Sequence, residues 1–228
     1  MTHIIAEFGS SPAPEWDFEK WSRSAANAGA RRVKVQVFKA EHFPPPFDEI
    51  KQRDVFPRQR LQEFGDCARA HGLTPGASVF DREAAFAAAK ALDFLKLAAR
   101  EQYNEKLILD VWEATQHHRR PVYRSVSILD VDDDWIGWST WVTLFAIQEY
   151  PAAMTHSLAD LFNAAAWFKR HGIRWGWSSH TTGILDCQIA RWLGAEVIEK
   201  HYAVSPLDSE AGHSLTPKQF QRLVRSCG

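Results

Sequence analysis

Short apolar runs alternate with longer segments of helical periodicity along the whole chain, and this alternation limits the possible folds more than any other feature. The apolar runs are of strand length, and eight of them precede or follow a helix-like segment. The predicted strands are 3–8, 32–38, 74–80, 94–98, 121–127, 142–147, 174–178 and 196–201. The predicted helices are 15–28, 57–71, 82–90, 105–116, 157–171, 182–193 and 216–226.

Eight strands that alternate with helices indicate an α/β fold of the (β/α)₈ TIM-barrel type. The 228 residues are close to the lower limit of about 200 for such a barrel, so we expect one compact domain over 1–228. The stretch 129–140, LDVDDDWIGWST, is too short for a normal helix, which predicts a reduced helical layer after the fifth strand. A doubly wound open sheet is the competing architecture, but no glycine-rich phosphate loop follows the first strand.

Composition narrows the class of partner. The 27 basic and 28 acidic residues give a net charge of −1, which favours neither nucleic acid nor an anionic membrane as a partner. No apolar run approaches the roughly 20 residues of a membrane-spanning helix, and the N-terminus does not resemble a signal peptide. Three widely separated cysteines without a CxxC motif favour a reducing compartment. We therefore expect a soluble, cytoplasmic protein, and a homodimer remains open.

Charged residues occupy strand positions where a barrel is normally apolar. In the second strand, valines alternate with Lys34 and Gln36, and Lys96 lies between two leucines of the fourth strand. Because side chains alternate between the two faces of a strand, one of these sets faces the barrel interior. An unpaired buried lysine is costly, so two of them predict an anionic partner.

Histidines and carboxylates follow the same pattern near the ends of other strands. Glu199 and His201 share one face of the eighth strand, Ser178 and His180 share one face of the seventh, and Glu7 lies near the end of the first. Active sites of TIM barrels lie at the carboxyl ends of the strands. Together these residues indicate a pocket for an anionic substrate and a possible metal ion, although each alone is more typical of a solvated or satisfied polar group.

Seven segments, taken in order, resemble the sialic acid synthase (N-acetylneuraminate synthase) family. They are IIAEFGS, AGARRVKVQVFKAE, GASVFD, LKLAA, EYPAA, GWSSHTTG and GAEVIEKHY. The resemblance extends over nearly the whole chain, and the last two segments are the most specific. It implies a (β/α)₈ barrel that condenses phosphoenolpyruvate with the open-chain aldehyde of an N-acylated amino sugar, assisted by Mn²⁺ or Mg²⁺.

The resemblance also implies roles for individual residues. Lys34 and Lys96 match lysines that hold the phosphate and carboxylate of phosphoenolpyruvate, and His180 and His201 match two metal ligands. Glu7 and Glu199 match acidic groups beside the reacting sugar, which makes them the candidate catalytic residues. The other implied substrate contacts are Ser78, Ser125, Ser178, Tyr150 and Asp208, with Glu210 as the alternative to Asp208.

Departures from the family pattern fall on the sugar side. An Asn-His pair usual after the first strand is replaced within 9–14, Glu149 replaces an asparagine, Ala99 replaces a serine, and Ser179 replaces an aspartate. The chain ends soon after the predicted eighth-strand helix, where sialic acid synthases usually add an antifreeze-like domain. These departures predict that the aldehyde acceptor differs from that of the sialic acid enzymes.

Other interpretations remain open at this stage. A metal-dependent aldolase, lyase or isomerase acting on a phosphorylated sugar would use the same lysines and histidines. A barrel that binds a metabolite without catalysis is a further alternative. The ten tryptophans are interpreted mainly as packing residues; Trp175 and Trp177 are expected to face the outer helices, and Trp135 or Trp138 is a candidate wall of an acceptor site or subunit interface.

Overall fold

The computed structural model describes residues 2–9, 16–45, 52–116, 118–129, 141–208 and 210–228. Within these ranges eight parallel strands form a closed barrel in chain order, with the last strand paired to the first. The strands are β1 His3–Gly9, β2 Arg32–Val37, β3 Thr74–Val79, β4 Phe94–Leu97, β5 Val122–Val126, β6 Val142–Ala146, β7 Trp175–Ser179 and β8 Val197–His201. The predicted α/β TIM barrel is confirmed.

Helices connect the strands on the outside of the barrel. They are α1 Phe18–Asn27, α2 Leu61–Ala70, α3 Arg82–Ala91, α4 Glu105–Gln116, α5 Met154–His171, α6 Leu185–Trp192 and α7 Pro217–Cys227. Between β5 and β6 the described residues, 127–129 and 141, contain no helix; residues 130–140, with Trp135 and Trp138, lie outside the described part. Among the described helices, none has the length and apolar character needed to cross a lipid bilayer.

Helix boundaries follow the capping chemistry of the sequence. Asp81 accepts a hydrogen bond from the Ala84 backbone at the start of α3, and Thr216 forms a capping box with Gln219 at the start of α7. Helix α5 begins at Met154, three residues before the predicted start. Its N-cap, Ala153, has no side chain that can accept a hydrogen bond, so the sequence carried no start signal there.

An apolar layer lies between the barrel and its helices. Trp175 stacks on Phe168 of α5, with ring centroids 5.7 Å apart, and Trp177 donates a hydrogen bond to the Asp186 carboxylate of α6 at 2.7 Å. Both tryptophans therefore face outward, as the alternation of β7 predicts. Their packing leaves the other face of β7 free to present Ser178 to the interior.

A second, smaller apolar cluster fills the interior of the barrel toward the amino ends of the strands. We call it the plug, and it consists of Ile5, Phe94, Tyr123, Val142, Leu144 and Val197. The rings of Phe94 and Tyr123 meet edge to face at 5.3 Å. The plug lies between the amino ends of the strands and the polar side chains near their carboxyl ends, so the barrel has two separate mouths.

Glycine at position 76 makes room for the plug. A Cβ at Gly76 would lie 2.3 Å from the Phe94 ring, whereas a Cβ at Gly212 would meet no atom within 4 Å. We expect Gly76→Ala to lower the free energy of unfolding by about 1–3 kcal/mol, because overpacking forces the ring to move. Urea denaturation checks this, with Gly212→Ala as the control; equal stability of the two variants would contradict the packing described.

Candidate functional site

Polar side chains from seven strands meet inside the barrel above the plug. Strand pairing places Glu7 opposite Lys34, Ser78 opposite Lys96, and Ser178 opposite Glu199. All of them are buried. The buried polar residues of this layer are Glu7, Lys34, Ser78, Lys96, Ser125, Ser178 and Glu199.

Two lysines and two glutamates, which we call the tetrad (Glu7, Lys34, Lys96 and Glu199), form the centre of this layer. The Lys34 ammonium lies 2.5 Å from Glu7 Oε1 and 3.6 Å from Glu199 Oε2, and it donates to Ser78 Oγ at 2.7 Å. Lys96 donates to Glu199 Oε1. Charged groups of both signs are thus paired and hydrogen-bonded, which is the condition for burying them.

The environment of the tetrad shifts its proton equilibria. Burial alone would lower the pKa of Lys34, but Glu199 and Glu7 outweigh it and raise the pKa. Burial would raise the pKa of Glu7, but Lys34 outweighs it and holds the pKa well below the usual value. At Lys96, burial dominates over the attraction of Glu199 and lowers the pKa. Lys34 and Glu7 are therefore held in their charged forms.

Within the part of the chain that the structure describes, Ser125 Oγ and Glu199 Oε2 of this layer are buried without a hydrogen-bond partner. A buried polar group left unpaired costs about 1–3 kcal/mol. A hydroxyl aimed into a lysine-containing interior is a suitable donor to an anionic ligand. The Ser125 hydroxyl is thus a buried donor that a bound anion could accept from.

An aromatic and histidine-rich rim lies above the tetrad. The centroid of the Tyr150 ring lies 4.2 Å from that of His180 and 5.3 Å from that of His213. The centroid of the His201 ring lies 4.5 Å from that of His213 and 5.5 Å from that of His180. The structure therefore brings together the two histidines predicted as metal ligands, and it adds His213. The sequence interpretation of the loop at 205–217 considered only its acidic residues and missed this histidine.

His180 and His213 are held as neutral bases. His180 Nδ1 lies 2.5 Å from the Ile147 carbonyl oxygen, so this nitrogen carries the proton and Nε2 keeps a lone pair. Burial, followed by the proximity of His201, holds the pKa of His180 well below its usual value. Burial and His201 likewise lower the pKa of His213 to about 4. Neutral imidazoles with a free lone pair are the form that binds metal ions.

Three groups are arranged as a possible metal site: His201, Glu210 and His213 each offer a ligand atom, and these atoms lie within 4.8 Å of one another. His201 Nδ1 is 2.8 Å from Glu210 Oε2, while its Nε2 is 3.9 Å from Glu7 Oε2. A carboxylate on one ring nitrogen orients the other nitrogen toward a metal ion. Glu210 can therefore act as a ligand or as the group that orients His201.

Backbone pairing holds the loop that carries Glu210 and His213 over the barrel mouth. The Leu215 amide donates to the His201 carbonyl at 2.8 Å, and the Ala203 amide donates to the Leu215 carbonyl at 3.0 Å. The Ser214 hydroxyl donates to the Glu210 carbonyl at 2.6 Å. The loop consequently returns to the end of β8 and turns Glu210 inward.

Asp208 occupies a different position. Its carboxylate accepts a hydrogen bond from the Ser205 amide at 3.0 Å and so closes the turn at the start of the loop. Of the two acidic candidates in this segment, the structure brings Glu210 to the histidines and places Asp208 in the turn. Spacing along a loop could not separate them, because their positions depend on the hydrogen bonds that the folded loop makes.

The sequence matches the NeuB family over residues 23–228. It is also 23% identical over 250 residues to "Uncharacterized protein MJ1065" of Methanocaldococcus jannaschii, an alignment that covers 99% of this chain and 69% of that protein. The family match extends over most of the chain and includes all the tetrad residues except Glu7.

Solved structures share the barrel. The sialic acid synthetase of Leptospira borgpetersenii in complex with citrate has a TM-score of 0.88 at 22% identity, covering 99% of this chain and 82% of that one. The spore coat polysaccharide biosynthesis protein spsE of Bacillus subtilis has a TM-score of 0.80 at 23% identity, covering 99% and 67%. A truncated 3-deoxy-D-arabino-heptulosonate 7-phosphate synthase of Thermotoga maritima has a TM-score of 0.70 at 14% identity, covering 98% and 84%. The fold is common to all three, and the match over residues 23–228 shows that this chain belongs to the NeuB family.

Proposed function

We propose that the protein condenses phosphoenolpyruvate with a sugar-like aldehyde, with a divalent metal ion, to give a 2-keto acid and phosphate. The observation that carries the proposal is the buried tetrad, in which two lysines face the interior of a barrel beside unpaired Ser125. A bound anion would give Ser125 a hydrogen-bond partner and would give Lys96 a partner besides Glu199. Membership of the NeuB family, and the named activities of the sialic acid synthetase and heptulosonate phosphate synthase neighbours, support this reaction class.

The two lysines are not equivalent as ligands for phosphoenolpyruvate. Lys34 contacts Glu7, Glu199 and Ser78, whereas Lys96 is hydrogen-bonded only to Glu199 among the described residues. Lys96 is therefore the cation that can turn to an incoming phosphate or carboxylate at the lower cost. Ser78, Ser125 and Ser178 supply hydroxyl groups around it, and charge-assisted hydrogen bonds of this kind are strong in a dry interior.

The charges of the tetrad cancel, since two ammonium groups face two carboxylates. An incoming anion with a phosphate and a carboxylate would add several negative charges to this neutral layer. A divalent cation at the rim would offset part of that charge. This electrostatic requirement supports a metal ion independently of the histidine geometry.

The rim residues fit a divalent metal ion in their donor chemistry. His180 Nε2, His201, Glu210 and His213 provide nitrogen and oxygen donors, and neutral imidazole with carboxylate suits Mn²⁺ better than Mg²⁺, which prefers oxygen ligands. When bound, the ion would polarise the aldehyde oxygen as a Lewis acid. The protein would hold it through His201 and His213, with Glu210 as a further ligand or as the group that orients His201, and with His180 beside them.

Glu7 is placed to handle a proton during the reaction. C3 of the enol attacks the aldehyde carbon, water adds to C2, and phosphate leaves from C2. Glu7 accepts hydrogen bonds from Lys34 and from Gln36 at 2.8 Å, and its low pKa keeps it ionised. An ionised carboxylate beside the reacting carbon can hold the attacking water by accepting its hydrogen bond, and it can take up the proton once the water oxygen has bonded to C2, when that proton is strongly acidic. Glu199, bonded to Lys96 and Ser178, then serves mainly to orient that lysine.

Acceptor-dependent phosphate release tests the proposal. The protein is incubated with phosphoenolpyruvate, Mn²⁺ and a panel of N-acetylated amino sugars and unsubstituted aldoses, and phosphate, pyruvate and new 2-keto acids are measured. We expect phosphate and a new 2-keto acid in equal amounts with one acceptor class, and loss of both in Lys96→Met but not in Lys90→Met, a change on the exposed face of α3. Pyruvate formed by cleavage of a sugar would instead identify a lyase, and no turnover with any acceptor would contradict the proposal.

Gly9 gives a test of the metal site that does not depend on turnover. The residue has φ of 60°, and a Cβ there would lie 1.8 Å from Glu210 Oε2; Gly172 has φ of 65° and no atom within 4 Å of its Cβ position. We expect both Gly→Ala variants to lose about 1–2 kcal/mol of stability from backbone strain. Only Gly9→Ala should also weaken Mn²⁺ binding, by about 10-fold, because it displaces the group that orients His201. Calorimetric titration with Mn²⁺ measures this, and equal affinities would remove Glu210 from the site.

A further inference from the structure

The amino-terminal mouth of the barrel, on the far side of the plug, contains a cavity of about 480 Å³. It lies where β1, β2, β5, β6 and β8 begin. Its walls include four arginines and two aromatic residues: Arg32, Arg119, Arg120, Arg174, Tyr123 and Trp141. Its volume is within the range of about 300–1,000 Å³ that is typical of small-molecule sites.

The cavity is strongly basic. No carboxylate is among the described residues that line it. Arg174 is paired with Glu196 at 2.8 Å and Arg120 with Asp93 at 3.5 Å, but both acidic partners lie outside the lining. Burial is the first cause that lowers the pKa of His3 at the cavity edge, and the charge of Arg32 is the second. A positive potential in a concave site concentrates anions.

Arg32 has an incomplete set of partners. Its Nη1 is buried and has no hydrogen-bond partner among the described residues. An unpaired buried donor on a charged group costs free energy. An apolar side chain at position 32 would avoid this cost and would extend the plug. Arg32 stands on the same face of β2 as Lys34, so the strand presents a cation at each mouth of the barrel.

Arg119, which also lines the cavity, has a strained backbone conformation. It has φ of 48°, in the left-handed region that favours glycine, at the turn between α4 and β5. A left-handed conformation costs a residue with a Cβ about 1–2 kcal/mol. Glycine would make this turn without strain, but glycine would remove a guanidinium from the cavity.

We propose that this cavity is a second ligand site, for a small organic phosphate whose ring packs against Tyr123 and Trp141. Arginine binds phosphate with two parallel hydrogen bonds, which would satisfy the unpaired nitrogen of Arg32. The aromatic walls make the site larger and less polar than a free phosphate requires. The plug isolates the ligand from the tetrad, so the site does not depend on the reaction proposed above.

Calorimetric titration with adenosine 5′-monophosphate and with inorganic phosphate tests the site, and the Lys96→Met variant described below reports any binding at the other mouth. We expect one nucleotide per chain and weaker binding of inorganic phosphate, which cannot reach the rings. Loss of one charge-assisted contact in Arg32→Met should weaken nucleotide binding by about 10- to 100-fold. Arg222→Met, an exposed change on α7, and Lys96→Met, at the other mouth, should leave it unchanged.

Arg119→Gly separates binding from folding, because it removes a guanidinium and relieves the backbone strain together. We expect its melting temperature to equal or exceed that of the wild type, while nucleotide binding weakens by at least about 10-fold. Absence of binding of both probes to the wild type would overturn the proposal. So would affinities that do not change in Arg119→Gly and Arg32→Met, or that are lost in Lys96→Met.

Discussion

Lys34→Met is expected to lower the free energy of unfolding by about 3–5 kcal/mol, the usual consequence of removing one partner from a buried ion pair. The Lys34 ammonium lies between Glu7 and Glu199 and is fully buried. Without it, Glu7 retains Gln36 as a donor but loses the charge that keeps its pKa low. Two carboxylates would then share the barrel interior with Lys96 as the remaining cation of the tetrad.

A double variant provides the control for this effect. In Lys34→Met/Glu7→Gln both charges of the closest pair are removed, so the unpaired carboxylate no longer exists. We expect the double variant to be more stable than Lys34→Met alone, with a coupling free energy of about 1–3 kcal/mol in urea denaturation. If the two changes were additive, or if Lys34→Met cost less than 1 kcal/mol, the tetrad would not be paired as described.

His201→Ala is expected to weaken Mn²⁺ binding by at least about 100-fold, since it removes a ligand and not only a residue that orients one. His201 occupies the centre of the rim, close to His180, His213 and Glu210. Glu210→Gln keeps the size of the side chain but removes its charge, and we expect a smaller loss of about 10- to 100-fold.

The matched control is His118→Ala, an exposed histidine on the turn after α4. Electron paramagnetic resonance of free Mn²⁺ gives all four affinities without any substrate. Equal binding in His201→Ala and His118→Ala would show that the histidine rim is not a metal site. A loss in Glu210→Gln as large as that in His201→Ala would identify Glu210 as a ligand.

Much of the fold follows from the sequence because the two-residue period of the strands and the 3.6-residue period of the helices are both clear. Alternation of valines with Lys34 and Gln36 identifies β2 and its two faces, and Asp81 and Thr216 mark the starts of α3 and α7. The start of α5 was missed because Ala153 carries no capping group. Where a local chemical signal is missing, tertiary packing decides the boundary.

The residues of the candidate site could likewise be predicted only where a local sequence pattern exists. The strand residues of the tetrad could be named from the sequence, because alternation places them on one face of each strand, and the structure shows that this face is the inner one. Glu210 and His213 could not be placed in this way, because their positions depend on the hydrogen bonds that return the loop to the end of β8. Arg32 shares the parity of Lys34 but lies at the amino end of β2, where no sequence pattern distinguishes a cavity-lining arginine from a solvent-exposed one.

Titration of phosphoenolpyruvate into the protein tests directly whether the lysine-containing interior binds an anion. With Mn²⁺ present we expect one molecule bound per chain. Lys96→Met, which removes the less engaged lysine, should weaken this binding by about 100-fold, while Lys90→Met on the surface should not change it. No binding to the wild type, or equal binding to all three proteins, would contradict the assignment of this interior to phosphoenolpyruvate.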